Sequence, residues 1–332
     1  MGKIIAFGEM LMCLSSQGHS RLKQTKSLDI DFGGAEANVA VSLAQFGEKV
    51  SFVTRLPEND MADRAMMSLK SFGVEVDHVQ WGGDRLGLYY FENGAVYRGS
   101  KVIYDRTNSS MYTIKPGEIN WQEVFKGASW FHWTGITPAL SENAYLVTLE
   151  ALQAAREMGL TISGDYNYRN NLWQWGKSAE EVMPELLSYC DIMSGVHPDV
   201  DVVQEKVGDE QFRLAGNEMM ARYPHCKLVV FTSRGSVSAS HNTWQGILYD
   251  GIEVFRSAAY NLTHIVDRVG TGDSFMAALI YGLRNYESKQ EAVEFATAAS
   301  TIKHFILGDQ NVCTVAEAEA LMKGNKNGLI SR

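Results

Sequence analysis

Gly270, Thr271, Gly272 and Asp273 are consecutive, after Val266-Asp267-Arg268-Val269 and before the apolar run Phe275-Met276-Ala277-Ala278-Leu279-Ile280. Phe275, Ala278, Leu279 and Gly282 fall at helical spacing, which predicts a buried helix starting near Gly272. The first N–H groups of a helix have no acceptor within it. Two glycines there let the backbone approach a ligand closely. Such a turn binds an anion through peptide dipoles rather than through Lys or Arg. Asp273 stands at its mouth, where a carboxylate can take a proton from an attacking hydroxyl. The same residues also suit a plain structural role, a capping Asp on a Gly-rich loop.

Other phosphate motifs fail. Gly176-Lys177-Ser178 resembles the end of a Walker A loop, but Asn171 stands where that loop needs glycine. Gly270-Thr271-Gly272 opens a dinucleotide-like fingerprint whose third glycine position is Phe275, far from the first βα unit. His132, His197 and the other histidines lack HExxH spacing, so no dedicated transition-metal site is expected.

Anion binding also runs against the charge of the chain. With 39 Asp plus Glu against 30 Lys plus Arg, its net charge is −9 over 332 residues. That excludes nonspecific nucleic-acid binding, and no polybasic patch suggests a membrane surface. Cys13, Cys190, Cys226 and Cys313 form no CxxC pair. No signal-like apolar segment opens the chain, and no apolar run approaches a membrane span. A reduced, cytoplasmic protein is expected.

The elements that must hold these residues read as α/β. Hydrophobic residues make up 45% of the chain, enough for a sizeable core. The length suits about two units, or one large α/β domain with an insertion. Ile4–Phe7, Val50–Val53, Leu160–Ser163, Cys190–Met193 and Leu228–Thr232 are short apolar runs alternating with helix-like segments. They predict a doubly wound, mainly parallel sheet covered on both faces. Residues 13–32 are polar. Arg85–Phe91 and Ala95–Tyr97 flank Asn93-Gly94, which predicts a tight hairpin.

Two segments together carry a family resemblance. Asp267-Arg268-Val269-Gly270-Thr271-Gly272-Asp273 resembles the D-T-x-G-A-G-D signature of ribokinase-like (PfkB) sugar kinases. Gly33-Gly34-Ala35-Glu36-Ala37-Asn38-Val39-Ala40 resembles that family's G-G-x-x-x-N-x-A helix start. Leu86–Tyr90, Tyr104-Asp105-Arg106, Thr134–Ser141, Asp165–Trp173 and Lys303–Asp309 resemble 2-keto-3-deoxygluconate kinases within the family. The resemblance covers essentially the whole chain.

It implies an α/β core (1–12, 33–84, 107–332) and a β-sheet lid (13–32, 85–106) that closes over the sugar and contacts a second copy in a homodimer or larger assembly. It implies ATP and Mg²⁺, and leaves a monovalent cation, the oligomer size and the sugar epimer open. Asp273 would be the base, with Gly270, Thr271 and Gly272 as the anion hole. Gly33, Gly34, Asn38, Tyr89, Tyr104 and Asp309 would meet the sugar, and Arg106 and Arg169 its carboxylate. Asn167, Gly272, Thr297 and the turn-like Thr232, Arg234, Gly235 and Ser236 would face the nucleotide. The family's N-x-x-E pair becomes Val196 and Asp199 here, which leaves Asp199 to reach the metal through water. A neutral ketose or pentose substrate, or a sugar-binding relative with impaired catalysis, are the competing readings.

Overall fold

The computed structural model describes residues 2–95, 97–169, 171–195, 208–238 and 241–324. Among them the chain runs β1 (Lys3–Phe7), β2 (Leu11–Ser16), β3 (Leu28–Gly33), α1 (Ala35–Gln45), β4 (Val50–Val53), β5 (Arg55–Leu56), α2 (Asp60–Ser71), β6 (Gln80–Trp81), β7 (Gly87–Glu92), β8 (Lys101–Asp105), α3 (Trp121–Val124) and β9 (Ala128–Thr134). It continues α4 (Glu142–Glu157), β10 (Thr161–Asp165), α5 (Ala179–Leu187), β11 (Ile192–Ser194), α6 (Asp209–Arg222), β12 (Leu228–Ser238), β13 (His241–Tyr249), β14 (Val254–Arg256), β15 (Tyr260–Thr263), α7 (Thr271–Asn285), α8 (Lys289–Lys303) and α9 (Val315–Met322).

β12, β11, β10, β9, β1 and β4 lie side by side and parallel. β13, β14 and β15 extend the sheet in antiparallel fashion. Side chains alternate across a strand, so β1 feeds two cores. Ile4 and Ala6 pack with residues of α1, α2, α7 and α8, whereas Ile5 and Phe7 pack with residues of α3–α6. This is the expected doubly wound core. The apolar-run criterion passes over β9, whose Trp130-Phe131-His132-Trp133 is aromatic and polar, yet it lies between β1 and β10. No helix of the described residues is long and apolar enough to cross a membrane.

A second, four-stranded sheet has the order β3-β2-β7-β8. It takes up the two stretches expected to form a lid, and reaches slightly past them to Leu11 and Gly33. Leu11, Cys13, Tyr89 and Phe91 form its own small core, against which Val269 packs.

Two local expectations are corrected. β7 and β8 do form a hairpin, but residues 93–100 connect them, not a two-residue Asn93-Gly94 turn. Arg98 holds that loop: its guanidinium donates to Glu92 Oε1 at 2.5 Å, to the His19 carbonyl at 2.7 Å and to the Asn93 carbonyl at 3.1 Å. Likewise, Thr232–Ser236 is not a turn. β12 runs on through it because β13 supplies a partner, with Thr232 opposite Gly246, Arg234 opposite Trp244 and Gly235 opposite Thr243.

Candidate active site

A cleft of about 730 Å³ opens between the small four-stranded sheet and the C-terminal ends of the parallel strands, where α/β sheets commonly bind ligands. α7 starts at its floor. Gly270 is the N-cap, with φ 73°. A Cβ there would collide with the Asp309 carbonyl, and a left-handed φ disfavours any side chain. No side chain caps the helix start. Gly272 is exposed with open space around it, and Thr271 turns its hydroxyl back to the Arg268 carbonyl at 3.1 Å. The N–H of Thr271 donates to the Arg268 carbonyl at 3.5 Å, and Gly270 and Gly272 line the cleft mouth, where their N–H groups suit an anion.

Asp273 sits in the first turn of α7. Asn38, buried on α1, donates from Nδ2 to Asp273 Oδ2 at 2.8 Å. Burial raises the Asp273 pKa to about 7, helped by Asp165 and Asp309 and opposed by the Asn38 bond and by Arg169. A base works only when deprotonated, and one poised near neutral pH is well matched to its task. A prediction follows from the sign. kcat/KM should fall as pH drops through about 7, whereas an ordinary Asp would hold its rate down to about pH 4. A pH–rate profile flat from pH 8 to about pH 5 would exclude Asp273 as the titrating base.

Asn38, expected at a sugar hydroxyl, lines the cleft and uses one of its two amide N–H donors on Asp273. Gly33 and Gly34 leave no room for a Cβ. Gly33 packs against the Asp309 carboxylate and Gly34 against the Glu9 carbonyl. Tyr89 is buried and donates to Asp309 Oδ2 at 2.5 Å, joining lid to core. Burial raises the Asp309 pKa to about 6, the Tyr89 bond opposing. Tyr104 is more exposed, its ring 6.2 Å from that of Tyr89 and 5.8 Å from the Arg106 guanidinium carbon.

The two arginines expected to act together differ. Arg106 is buried and donates from Nε to Glu9 Oε2 at 2.6 Å, so its charge is already paired inside the protein. Arg169 is exposed at the cleft, with Nη1 3.0 Å from the Tyr168 carbonyl. Arg169 is therefore the better cation for an incoming anion.

Of the residues expected to face a nucleotide, Thr232, Arg234 and Asn167 line the cleft. Asn167, with φ 40°, donates its N–H to Asp165 Oδ1 at 3.1 Å. Arg234 lies 5.2 Å over the Trp244 ring and reaches Thr271 Oγ1 at 3.4 Å. Its Nε is buried without an acceptor among the described residues. Gly235 is buried in β12 and takes Thr243 Oγ1 as acceptor at 3.1 Å, away from the cleft lining. Thr297 is a further correction: it is fully buried on α8 and donates to the Val293 carbonyl at 2.7 Å. Its hydroxyl satisfies its own helix instead of an adenine. The Ser236 backbone pairs with Asn242, and its side chain lies outside the described residues, as do Val196 and Asp199.

Four cleft carboxylates went unassigned from sequence: Glu9, Glu36, Asp165 and Asp267. Glu9 pairs with Arg106, and Asp165 ends β10. Glu36 is fully buried, and its Oε1 accepts from Thr134 and Thr137, each at 2.8 Å. The available signal was a carboxylate at or just past the C-terminal end of a buried parallel strand, which Asp165 and Glu9 share. Among the described residues no group of three or more His, Cys, Asp or Glu is arranged to hold a metal ion.

The chain matches the model of the pfkB family of carbohydrate kinases over residues 1–314. It is 32% identical to the 2-dehydro-3-deoxygalactonokinase of Haloferax volcanii, covering 98% of each chain. It is 25% identical to the 5-dehydro-2-deoxygluconokinase of Geobacillus kaustophilus, covering 99% of this chain and 96% of that one. The crystal structure of 2-dehydro-3-deoxygluconokinase from Thermotoga maritima superposes with TM-score 0.92 at 40% identity, covering 98% of this chain and 100% of that one.

Proposed function

The chain belongs to the pfkB family of carbohydrate kinases, and we propose that it transfers the γ-phosphoryl group of ATP to the 6-hydroxyl of 2-keto-3-deoxy-D-gluconate. The observation that carries this reading is that Asp273, beside the Gly270 turn, and the exposed guanidinium of Arg169 line one cleft. Asp273 suits a hydroxyl and a phosphoryl group, and Arg169 suits a carboxylate, which a guanidinium fork matches.

Asp273 takes the proton of the acceptor hydroxyl as its oxygen attacks the γ-phosphorus, and the bond from that phosphorus to the β–γ bridging oxygen breaks to release ADP. The N–H groups of Gly270, Thr271 and Gly272 receive the charge of the transferring group, fixed dipoles that need no reorganisation. Arg234 adds a cation on the nucleotide side. Asp165 would hold Mg²⁺ through water, and the ion would supply charge neutralisation between the β- and γ-phosphates. The lid sheet excludes water from the bound sugar. β8 carries an open edge with all five residues exposed, where a second copy would cover the strand.

A coupled ADP-release assay over a sugar panel tests the reading. The panel contains both 2-keto-3-deoxy epimers, 5-keto-2-deoxygluconate, fructose and ribose. Equal rates with fructose and the keto-acid would defeat the acid-sugar assignment, and nucleotide and sugar binding without turnover would favour an impaired relative. Within the panel, Arg169→Ala should raise KM for the acid sugar about 10- to 100-fold, the worth of a charge-assisted hydrogen bond, at unchanged melting temperature. Arg106→Ala should instead lower the melting temperature, since the unpaired, buried Glu9 costs about 3–5 kcal/mol. An acid-sugar KM unmoved by Arg169→Ala removes that residue from the substrate site.

A further inference from the structure

Lys303, the last residue of α8, is fully buried although it carries a long charged side chain. Buried lysines are rare unless something nearby holds the charge. Its Nζ donates to the Ile306 carbonyl at 3.1 Å. The segment that follows is laminated onto the loop leading into the anion turn. The His304 carbonyl accepts the N–H of Val266 at 2.9 Å and of Asp267 at 3.3 Å. Asp267 then accepts the N–H of Val269 at 3.0 Å and that of Gly308 at 3.0 Å. The Asp309 backbone lies hard against Gly270. Behind the helix start, Asn311 Nδ2 donates to Ser274 Oγ at 2.6 Å.

This back wall carries an electrostatic problem. Asp267, Asp273 and Asp309 cluster at the turn, and the phosphates of a nucleotide would add more negative charge. Burial lowers the Lys303 pKa, while Asp267, Asp309 and Asp273 act to keep the amine protonated. None of these groups is a direct ion-pair partner, so the ammonium acts on the cluster as a whole.

We propose that Lys303 is a positioning residue for phosphoryl transfer, a built-in cation behind the Gly270 turn that lets its N–H groups receive phosphate beside three carboxylates. The inference rests on the phosphoryl-transfer reading of that turn. Lys303 touches neither substrate; it acts through the 265–270 and 303–309 loops.

The test compares Lys303→Met, which keeps the packing, with Lys303→Gln, which keeps an N–H donor for Ile306 without the charge. Both should lower kcat about 10- to 100-fold and weaken ADP binding several-fold, by loss of a buried charge interaction. The sugar KM and the circular-dichroism spectrum should stay at wild-type values. In Lys303→Ala, ammonium chloride should restore part of kcat while sodium chloride at equal ionic strength does not. Wild-type kinetics in Lys303→Gln would overturn the proposal, because the hydrogen bond alone would then suffice. Failure of both variants to fold would overturn it too, the amine being then a folding device. A wild-type chain that transfers no phosphoryl group to any sugar defeats the underlying reading instead, a result distinguishable from the other two.

Discussion

Asp273→Asn should lower kcat by about 10²–10⁴-fold, the range expected for removal of a general base. ATP and sugar affinities should stay within a few-fold of wild type. The substitution is nearly isosteric, and the Asn38 amide still finds an oxygen acceptor at the position it now occupies 2.8 Å away. No charge is left unpaired, because Asp273 has no cationic hydrogen-bond partner to strand. Single-turnover phosphoryl transfer, measured beside equilibrium ATP binding, separates chemistry from binding. The acid limb near pH 7 should vanish from what activity remains, since the group that titrates there is gone. A variant that retains the wild-type rate, or the acid limb, would assign the base to another carboxyl. Asp165 and Asp309 are the neighbours to examine then.

Gly270→Ala should be as damaging, by a different route. The left-handed φ costs a side chain about 1–2 kcal/mol, and the added Cβ meets the Asp309 carbonyl, which is backbone and cannot swing away. The turn must shift, and its N–H groups lose their aim. Loss of one such donor commonly costs about 10²–10³-fold in kcat. Melting temperature and kcat should therefore fall together. Gly272→Ala is the control, because a methyl group there meets open space. Its fold should be unaffected, and any loss of rate reports crowding of the ligand. Wild-type kcat in Gly270→Ala would show that the N–H groups of this turn do not carry the transferring charge.

Features that depend on neighbours in sequence were legible before any coordinates. The start of α7, its two glycines and Asp273 are consecutive, and helix ends follow local rules. The strand runs were legible for the same reason, since a buried parallel strand needs only a short apolar segment. β9 escaped because its aromatic and polar residues break that pattern. The Asn93-Gly94 turn misled because Arg98, within the longer loop, bonds to Glu92 and to the distant His19 carbonyl.

The sequence by itself determined the helix start, the glycine turn with its carboxylate, and the layered α/β core. Tertiary structure decided which charges are available. Arg106 and Arg169 look alike as residues, yet Glu9, 97 positions away, neutralises only the first. Asn38 is brought to Asp273, 235 positions on, and spends one of its amide N–H donors there. Thr297 looks accessible until α8 buries it, and Lys303 looks like a surface lysine until the 265–270 loop closes over it. Coulomb energy and hydrogen bonding depend on distance and on burial across the whole fold. Neither quantity is written into residue type or spacing.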